Sequence, residues 1–191
     1  MIGYAFCGSF CTFSRSLSVL KKLVDEGYEV LPIMSETAYS TDTRFGKAKE
    51  YIREIENITG KSIIHTVKDA EPLGPKQPLQ ALIISPCTGN TLAKIASGIT
   101  DTAVTMAAKA HLRCDRPLLI AVSSNDAMSQ NLSNLGRLIT RRSVYFVPLV
   151  QDDPVGKPHS LVADIERIPE CLDLAKEGKQ ARPLFLEKKG M

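Results

Sequence analysis

The stretch that decides the fold is Leu82-Ile83-Ile84-Ser85-Pro86-Cys87-Thr88-Gly89-Asn90-Thr91-Leu92-Ala93-Lys94-Ile95-Ala96. Its first three residues predict a buried strand, which Pro86 is expected to end, and Leu92, Ile95 and Ala96 recur at the spacing of a helix that continues to Ile99. The polar residues between them lie where the free N–H groups of a helix point outwards. The stretch therefore predicts a site for an anion or a polar ring edge at the carboxyl end of a strand.

The same alternation of apolar strand and amphipathic helix extends outward in both directions. It indicates βαβ units, and hence an α/β fold: a single-domain, three-layer, doubly wound and mostly parallel sheet with helices on both faces. We expect a domain over residues 1–157 and a C-terminal tail, 158–191, that packs on the domain or on a partner subunit. Strands are predicted at 2–6, 28–34, 63–65, 79–84, 117–122 and 145–150, and helices at 14–26, 43–58, 92–99, 102–111 and 127–140.

Composition narrows the function classes. The chain has 191 residues, no apolar run near the roughly 20 residues that span a bilayer, and no visible secretory signal, so we expect a cytoplasmic protein. A net charge of +3 gives little support for nucleic acid as the main partner. The five cysteines lack the paired spacing of a zinc site, so we predict free thiols and no metal, with a Cys7–Cys11 redox pair as the alternative.

Polar residues follow four of the predicted strands. Gly8, Ser9 and Thr12 follow the first strand and could bind a phosphate beside a helix N-terminus; the alternative is ordinary capping of the helix by Ser14. Ser35 follows the second strand, Ser85 follows the strand at 79–84, and Ser123 follows the strand at 117–122. Because parallel sheets bind ligands at the carboxyl ends of their strands, we expect these turns to form one site.

The motif formed by Pro86, Asn90-Thr91, Ala93-Lys94, Gly98 and Asp101 resembles that of the flavoprotein family that includes flavin-containing cysteine decarboxylases. A second family motif keeps Ala121, Asn125 and Met128 but has lost its proline. The resemblance implies a Rossmann-like flavoprotein fold, a homo-oligomer and a pocket for FMN. It implies cofactor-binding roles for Gly8, Ser9 and Thr12 near the phosphate, Ser35 and Thr88 nearby, Ser85, Asn90 and Ser123 near the ribityl chain or ring, and Thr91 and Asn125 in the same motifs.

Within that family, the segments Cys7–Thr12, His65-Thr66, 69–72 and 85–91 resemble the B subunits of dipicolinate synthases. This resemblance implies a separate A subunit that carries NADP or NAD. Together the two subunits would oxidise a dihydrodipicolinate-type precursor to dipicolinate in a sporulating bacterium. Two alternatives stay open: a stand-alone flavin-dependent decarboxylase, and a non-catalytic subunit that binds flavin or another ligand as a scaffold.

Several candidate residues have both a functional and a structural interpretation. The family's decarboxylases carry a histidine shortly before the Asn-Thr turn, but this chain has Pro72-Leu73-Gly74 there. His65 is further upstream and could be catalytic or simply structural. Arg44 could bind a dicarboxylate substrate and Lys94 a phosphate or carboxylate, or both could be solvated. Gly89 replaces a side chain that the family often has, which could enlarge the pocket or weaken binding.

Small residues are frequent along the two helices that follow the Asn-Thr turn. They are compatible with close helix packing between the subunits of a homo-oligomer. They are Ala93, Ala96, Ser97, Gly98, Ala103, Ala107 and Ala108.

Overall fold

The computed structural model describes residues 1–187, and a mostly parallel sheet runs through its centre. Its strands are β1 Ile2–Phe6, β2 Val30–Met34, β3 Leu82–Cys87, β4 Leu118–Ser124, β5 Val144–Phe146, β6 Leu149–Val150, β7 Leu161–Ala163 and β8 Phe185–Leu186. The first five are parallel, in the order β2-β1-β3-β4-β5. Beyond the carboxyl end of β4 the sheet continues through β7, β6 and β8, with β7 antiparallel to both β4 and β6.

Helices cover both faces of this sheet. One layer contains α1, α3 and α8, and the other contains α4, α5, α6 and α7. Because the central strands lie between two layers, both of their faces must be apolar, and every residue of β1 and β3 is buried. The predicted α/β fold class is confirmed. The helices are α1 Phe13–Asp25, α2 Glu36–Ser40, α3 Ala48–Thr59, α4 Val67–Ala70, α5 Gly89–Ser97, α6 Ala103–Leu112, α7 Gln130–Ile139 and α8 Ile168–Lys176.

The prediction that Pro86 ends its strand is wrong, because β3 continues to Cys87. The ladder between β3 and β4 shifts its register between Ile84 and Cys87, so the missing N–H of the proline falls at an irregularity. On the other side, the Pro86 carbonyl accepts the Cys7 N–H at 3.1 Å. The strand therefore keeps its place beside β1 through the proline.

Other boundaries differ from the prediction for local reasons. The expected strand at 63–65 is reduced to one bridge between Ile64 and Ile33. The helix expected at 43–58 begins only at Ala48, because Thr43 and Gly46 pair across a tight turn. The strand expected at 145–150 is divided at Val147-Pro148 into β5 and β6, which pair with different neighbours.

The tail packs on the rest of the chain as far as the structure describes it. Residues 158–187 supply β7, β8 and α8, and α8 lies against β4 and α1. Its side chains Ile168, Cys171 and Leu172 are buried. Residues 188–191, the end of the predicted tail, lie outside the described part.

The small residues of α6 have a role inside the chain. Ala103, Ala107 and Ala108 are buried, because α6 lies against the sheet and between α4 and α5. They are therefore not accessible to another protomer, in contrast to the expectation from sequence. Ser97 and Gly98, by comparison, are exposed.

Candidate functional site

The site lies where the chain changes direction across the sheet. From β1 the chain passes to β2 on one side, and from β3 it passes to β4 on the other, so a crevice opens between the carboxyl ends of β1 and β3. A cavity of about 710 Å³ occupies this crevice, within the range of roughly 300–1,000 Å³ typical of ligand pockets. Its lining is Gly8, Ser9, Phe10, Cys11, Arg44, Phe45, Thr88, Gly89, Asn90, Ser123, Ser124, Asn125, Asp126, Asp152, Lys157, Ser160 and Val162.

Hydroxyl groups join the turn after β1 to the end of β4. The Ser9 and Ser123 oxygens lie 2.8 Å apart, and the Thr12 hydroxyl donates to the Ser9 carbonyl at 2.9 Å. Thr12 also lies 3.4 Å from each of the two serine hydroxyls. Each hydroxyl has both donor and acceptor capacity, so this cluster can turn a proton towards an anion in the cavity.

The turn after β3 begins α5 directly at the cavity wall. Thr88 is the N-cap: its hydroxyl accepts the Thr91 N–H at 3.2 Å. Thr91 is buried and does not line the cavity, whereas the exposed Asn90 does. The positive end of α5 and the Asn90 amide therefore face the same space.

A carboxylate is fixed beside this turn by two hydrogen bonds. Asp126 accepts a short bond from the Ser124 hydroxyl at Oδ1 and one of 2.9 Å from Asn131 Nδ2 at Oδ2. A Cβ built on Gly89 would lie only 2.5 Å from Asn131 Nδ2, 2.6 Å from Ser124 Oγ and 2.7 Å from Asp126 Oδ1. The space left by the absent side chain is therefore filled by this cluster and does not enlarge the cavity.

The connection between β6 and β7 forms a wall that sequence reasoning missed. It brings Asp152, Lys157 and Ser160 to the cavity, with Lys157 Nζ 3.4 Å from Asp152 Oδ2. Burial raises the pKa of Asp152, but the Ser160 hydroxyl and the Lys157 ammonium outweigh it and hold that pKa below its usual value. The adjacent carboxylates at 152–153, directly after a strand, are the one sequence signal that could have indicated this wall.

Four predicted cofactor-binding residues do not line the cavity. Ser85 is fully buried in the core, with its hydroxyl 2.8 Å from that of Ser16. Ser35 caps α2 by accepting the Ala38 N–H at 3.2 Å. Thr91 and Thr12 are the other two, although the Thr12 hydroxyl is bonded to Ser9 and Ser123 of the lining. The cavity lining does contain Gly8, Ser9, Thr88, Asn90, Ser123 and Asn125.

The remaining candidates are divided between the cavity and other sites. His65 lies outside the cavity, where its ring stacks on Tyr39 at 3.9 Å with an interplanar angle of 2°. Lys94 also lies outside, with Nζ 2.9 Å from both carboxylate oxygens of Asp101. Arg44 does line the cavity, and its guanidinium carbon is 4.8 Å from the centre of the Phe45 ring. Among residues 1–187, none of the cavity-lining side chains is a histidine.

The cysteines do not form a redox pair in this structure. Cys7 is buried and Cys11 exposed, and both have free thiols. Burial raises the pKa of Cys7 to about 11, although the Thr91 hydroxyl and the Thr88 backbone oppose the shift. Cys7 is therefore a poor thiolate source at neutral pH.

The part of the chain that the structure describes has no group of three or more His, Cys, Asp or Glu side chains suited to a metal ion. Within residues 1–187, no helix combines the length and the apolar character needed to cross a membrane.

Comparisons with known proteins agree with this fold. The chain is 41% identical over 186 residues to the B subunit of dipicolinate synthase from Bacillus subtilis (strain 168), covering 97% of this chain and 93% of that protein. A crystal structure of the B subunit of dipicolinate synthase from Bacillus halodurans superposes with a TM-score of 0.90 at 41% identity, covering 98% and 96% of the two chains. An FMN-dependent cysteine decarboxylase shares the fold, with a TM-score of 0.67 at 24% identity and coverage of 91% and 95%.

The sequence profile of the Flavoprotein family matches residues 1–174, from β1 to α8, and thus includes every strand end that lines the cavity. Together with the whole-length relatives, this match shows that the chain belongs to the Flavoprotein family.

Proposed function

We propose that this chain is the B subunit of a dipicolinate synthase, which acts with a separate A subunit to oxidise a dihydrodipicolinate-type precursor to dipicolinate. The observation that carries the proposal is identity to the Bacillus subtilis protein along 97% of the chain. The cavity supports it, because its lining comes from strand ends and loops that all lie within the matched length. Sporulation and a cytoplasmic location belong to the same proposal.

The cavity lining suits FMN, which joins a phosphate, a polyol chain and a flat ring system. Hydroxyl donors at Ser9, Thr12 and Ser123 converge within 3.4 Å of one another and suit the phosphate. Asn90 and Asn125 offer amides to the polyol or ring, and Phe10 and Phe45 offer aromatic surface. Ser35, Ser85 and Thr91 do not line the cavity and are left out of this assignment; Thr12 does not line it either and enters through its hydrogen bonds to Ser9 and Ser123.

Bound FMN would supply a two-electron acceptor. The residues that line the cavity would bind this cofactor and orient its ring. Conversion of a dihydropyridine dicarboxylate to dipicolinate removes a hydride equivalent and a proton. The nicotinamide cofactor that we assign to the A subunit, NADP or NAD, is the final hydride acceptor.

A reconstitution assay tests the proposed function. The full chain is mixed with the A subunit from the same organism, the precursor and a nicotinamide cofactor, and dipicolinate is measured over time. We expect formation well above that of the A subunit alone. Equal rates with and without this chain would contradict the proposal.

Flavin binding has its own test. Purified protein should show the absorbance band of oxidised flavin near roughly 450 nm, or gain it on addition of FMN. Protein that remains colourless after incubation with FMN and desalting would contradict the cofactor assignment while leaving the reconstitution assay to decide the reaction.

The two alternative functions predict different outcomes. A stand-alone decarboxylase would release carbon dioxide from a carboxylated thiol without the A subunit, but no histidine lines the cavity among the described residues. A scaffold subunit would keep synthase activity and partner binding when Thr88 and Asn90 are both replaced by alanine. We expect synthase activity to be lost in that double variant and partner binding to persist.

We also propose that the chain forms homo-oligomers. One solved structure of the same fold is that of a dodecameric FMN-dependent UbiX-like decarboxylase. Light scattering during size-exclusion chromatography measures the state directly, and a mass of one chain at micromolar concentration would contradict the proposal.

A further inference from the structure

We infer that Arg44 and Lys157 divide the recognition of the substrate between them, each binding one of its two carboxylates. This inference rests on the proposed function, since dipicolinate and its precursor are dicarboxylates. It assigns a substrate role to Lys157 and makes the chain selective for a ligand with two separated negative groups.

Arg44 presents a cation to the cavity from the loop before α3. Its side chain is exposed and its guanidinium lies over the Phe45 ring, 4.8 Å from the centroid. Among residues 1–187 it has no carboxylate partner, in contrast to Arg15 and Arg167, which bind Glu166 and Glu170. The contact with the Phe45 ring does not use the N–H groups of the guanidinium, so these stay available for a planar carboxylate.

Lys157 presents a second cation from a different part of the chain, the connection between β6 and β7. Its ammonium lies 3.4 Å from Asp152 Oδ2, and its side chain is 56% exposed. An ammonium has three donors, so the contact with Asp152 leaves donors for a ligand. The contact with Asp152 places the lysine ammonium beside the cavity lining.

Within the described residues these are the two cations of the cavity lining, and they are balanced by Asp126 and Asp152. The formal charges of the lining therefore sum to zero, and the cavity as a whole does not attract anions through its net charge. Both oxygens of Asp126 already accept hydrogen bonds from Ser124 and Asn131, which holds that charge against the wall. Apart from the Ser9–Ser123 hydroxyl cluster, which we assign to the phosphate of FMN, and the N-terminus of α5, the favourable positions for a carboxylate in this cavity are the two cationic side chains.

The experiment compares two probes, dipicolinate and picolinate, which share the pyridine ring and differ by one carboxylate. Binding of each to the full chain is measured by titration calorimetry at fixed ionic strength. The variants are Arg44→Gln and Lys157→Gln. The matched controls are Arg142→Gln and Lys179→Gln, which remove exposed cations that pair with Asp115 and Glu177 and lie outside the cavity lining.

We expect the unmodified chain to bind dipicolinate more tightly than picolinate, and each cavity variant to weaken dipicolinate binding about five- to tenfold, the size of a lost charge-assisted hydrogen bond at a partly exposed site. Each single variant should then bind dipicolinate about as weakly as the unmodified chain binds picolinate. The control variants should remain within twofold.

Two outcomes overturn the inference. Either Lys157→Gln binds dipicolinate within twofold of the unmodified chain, or the unmodified chain does not distinguish the two acids. If either occurs while the reconstitution assay yields dipicolinate, the proposed function stands and only the division of carboxylates fails. If the variants behave as expected but reconstitution yields no dipicolinate, the two-cation site stands and the proposed function fails.

Discussion

At the scale of single residues, the cavity wall beside Ser124, Asp126 and Asn131 requires a glycine at position 89, because there is no room for a side chain. Gly89 lies against three polar atoms of Ser124, Asp126 and Asn131, each closer than 3 Å to where a Cβ would be. Comparison with the family motif identifies Gly89 as unusual. It does not explain the glycine, because the residues that fill the space beside it are 35 to 42 positions further along the chain.

Gly89→Ala should therefore destabilise the protein. We expect a loss of about 1–3 kcal/mol in the free energy of unfolding, the usual cost of overpacking, measured by urea denaturation. Gly136→Ala is the matched control, because nothing lies within 4 Å of its Cβ position and the residue is inside α7, where alanine is the better helix former. A Gly89→Ala variant as stable as the unmodified chain would contradict the crowding.

Two serines near the carboxyl ends of the neighbouring strands β3 and β4 should have different effects, one on stability and the other on FMN binding. Ser85→Ala leaves Ser16 without its 2.8 Å partner in the core, so we expect a loss of about 1–3 kcal/mol in stability and unchanged FMN affinity. Ser123→Ala removes a hydroxyl of the cavity cluster and should weaken FMN binding severalfold. Urea denaturation and FMN titration measure the two effects, and weaker FMN binding in Ser85→Ala would contradict the placement of that residue.

At the scale of elements, sequence periodicity predicts the strands and helices of the layers well, but it predicts strand irregularities and connecting loops poorly. The central strands are continuous apolar runs because helices cover both their faces, and such runs are visible in sequence. The end of β3 was predicted wrongly at Pro86, because the effect of a proline on a strand depends on the neighbouring strands. A proline is tolerated where the hydrogen-bond ladder is already irregular. Lys157 and Ser160 were missed because β7 turns back antiparallel to β4, and no local pattern indicates that long-range pairing.

Helix α6 carries a buried histidine that should make stability depend on pH. His111 Nε2 donates to the Pro117 carbonyl at 2.9 Å, while Nδ1 has no partner among the described residues. Burial lowers the pKa of His111 to about 4, helped by the Arg116 charge and opposed by the Pro117 hydrogen bond. The unfolded chain therefore takes up this proton near pH 6.5, before the folded protein does.

Above pH 6.5 His111 is neutral in both the folded and the unfolded chain, and its titration does not reduce the free energy of unfolding. As the pH falls from 6.5 towards about 4, that free energy should decrease by about 3 kcal/mol in total. Urea denaturation at a series of pH values measures the slope. His111→Gln should flatten it between pH 7 and 5, whereas His159→Gln, at an exposed site, should not. Parallel slopes for the His111→Gln and unmodified proteins would contradict the assignment.

At the scale of the whole molecule, the segment after residue 157 is part of the same body as the sheet in the region described. β7 pairs with the end of β4, next to Ser123, and α8 covers the face beside α1. The predicted division into residues 1–157 and 158–191 is based on the higher charge and proline content of the second segment. Charge and proline content indicate which parts of a segment are exposed, but not where its apolar side chains pack.

A chain truncated after residue 157 should therefore fail to fold. Truncation exposes the surface that Ile165, Ile168 and Leu172 cover, and each of these side chains is fully buried. At about 1.5–3 kcal/mol per buried aliphatic side chain, the loss approaches the total stability of a typical domain. Circular dichroism and urea denaturation should show an unfolded or molten chain, whereas truncation after residue 187 should leave a cooperative transition. A cooperative transition in the shorter chain would instead support two separable parts.

The ring of Phe45, at the cavity under the Arg44 guanidinium, allows an optical reporter to be placed there. The chain has no tryptophan, so Phe45→Trp would introduce its single indole, and an indole is the better partner for a guanidinium. Emission from that indole would be quenched by energy transfer to a bound flavin and shifted by a change in its hydration. One substitution would thus make occupancy of the cavity visible by fluorescence, in solution and with this chain alone.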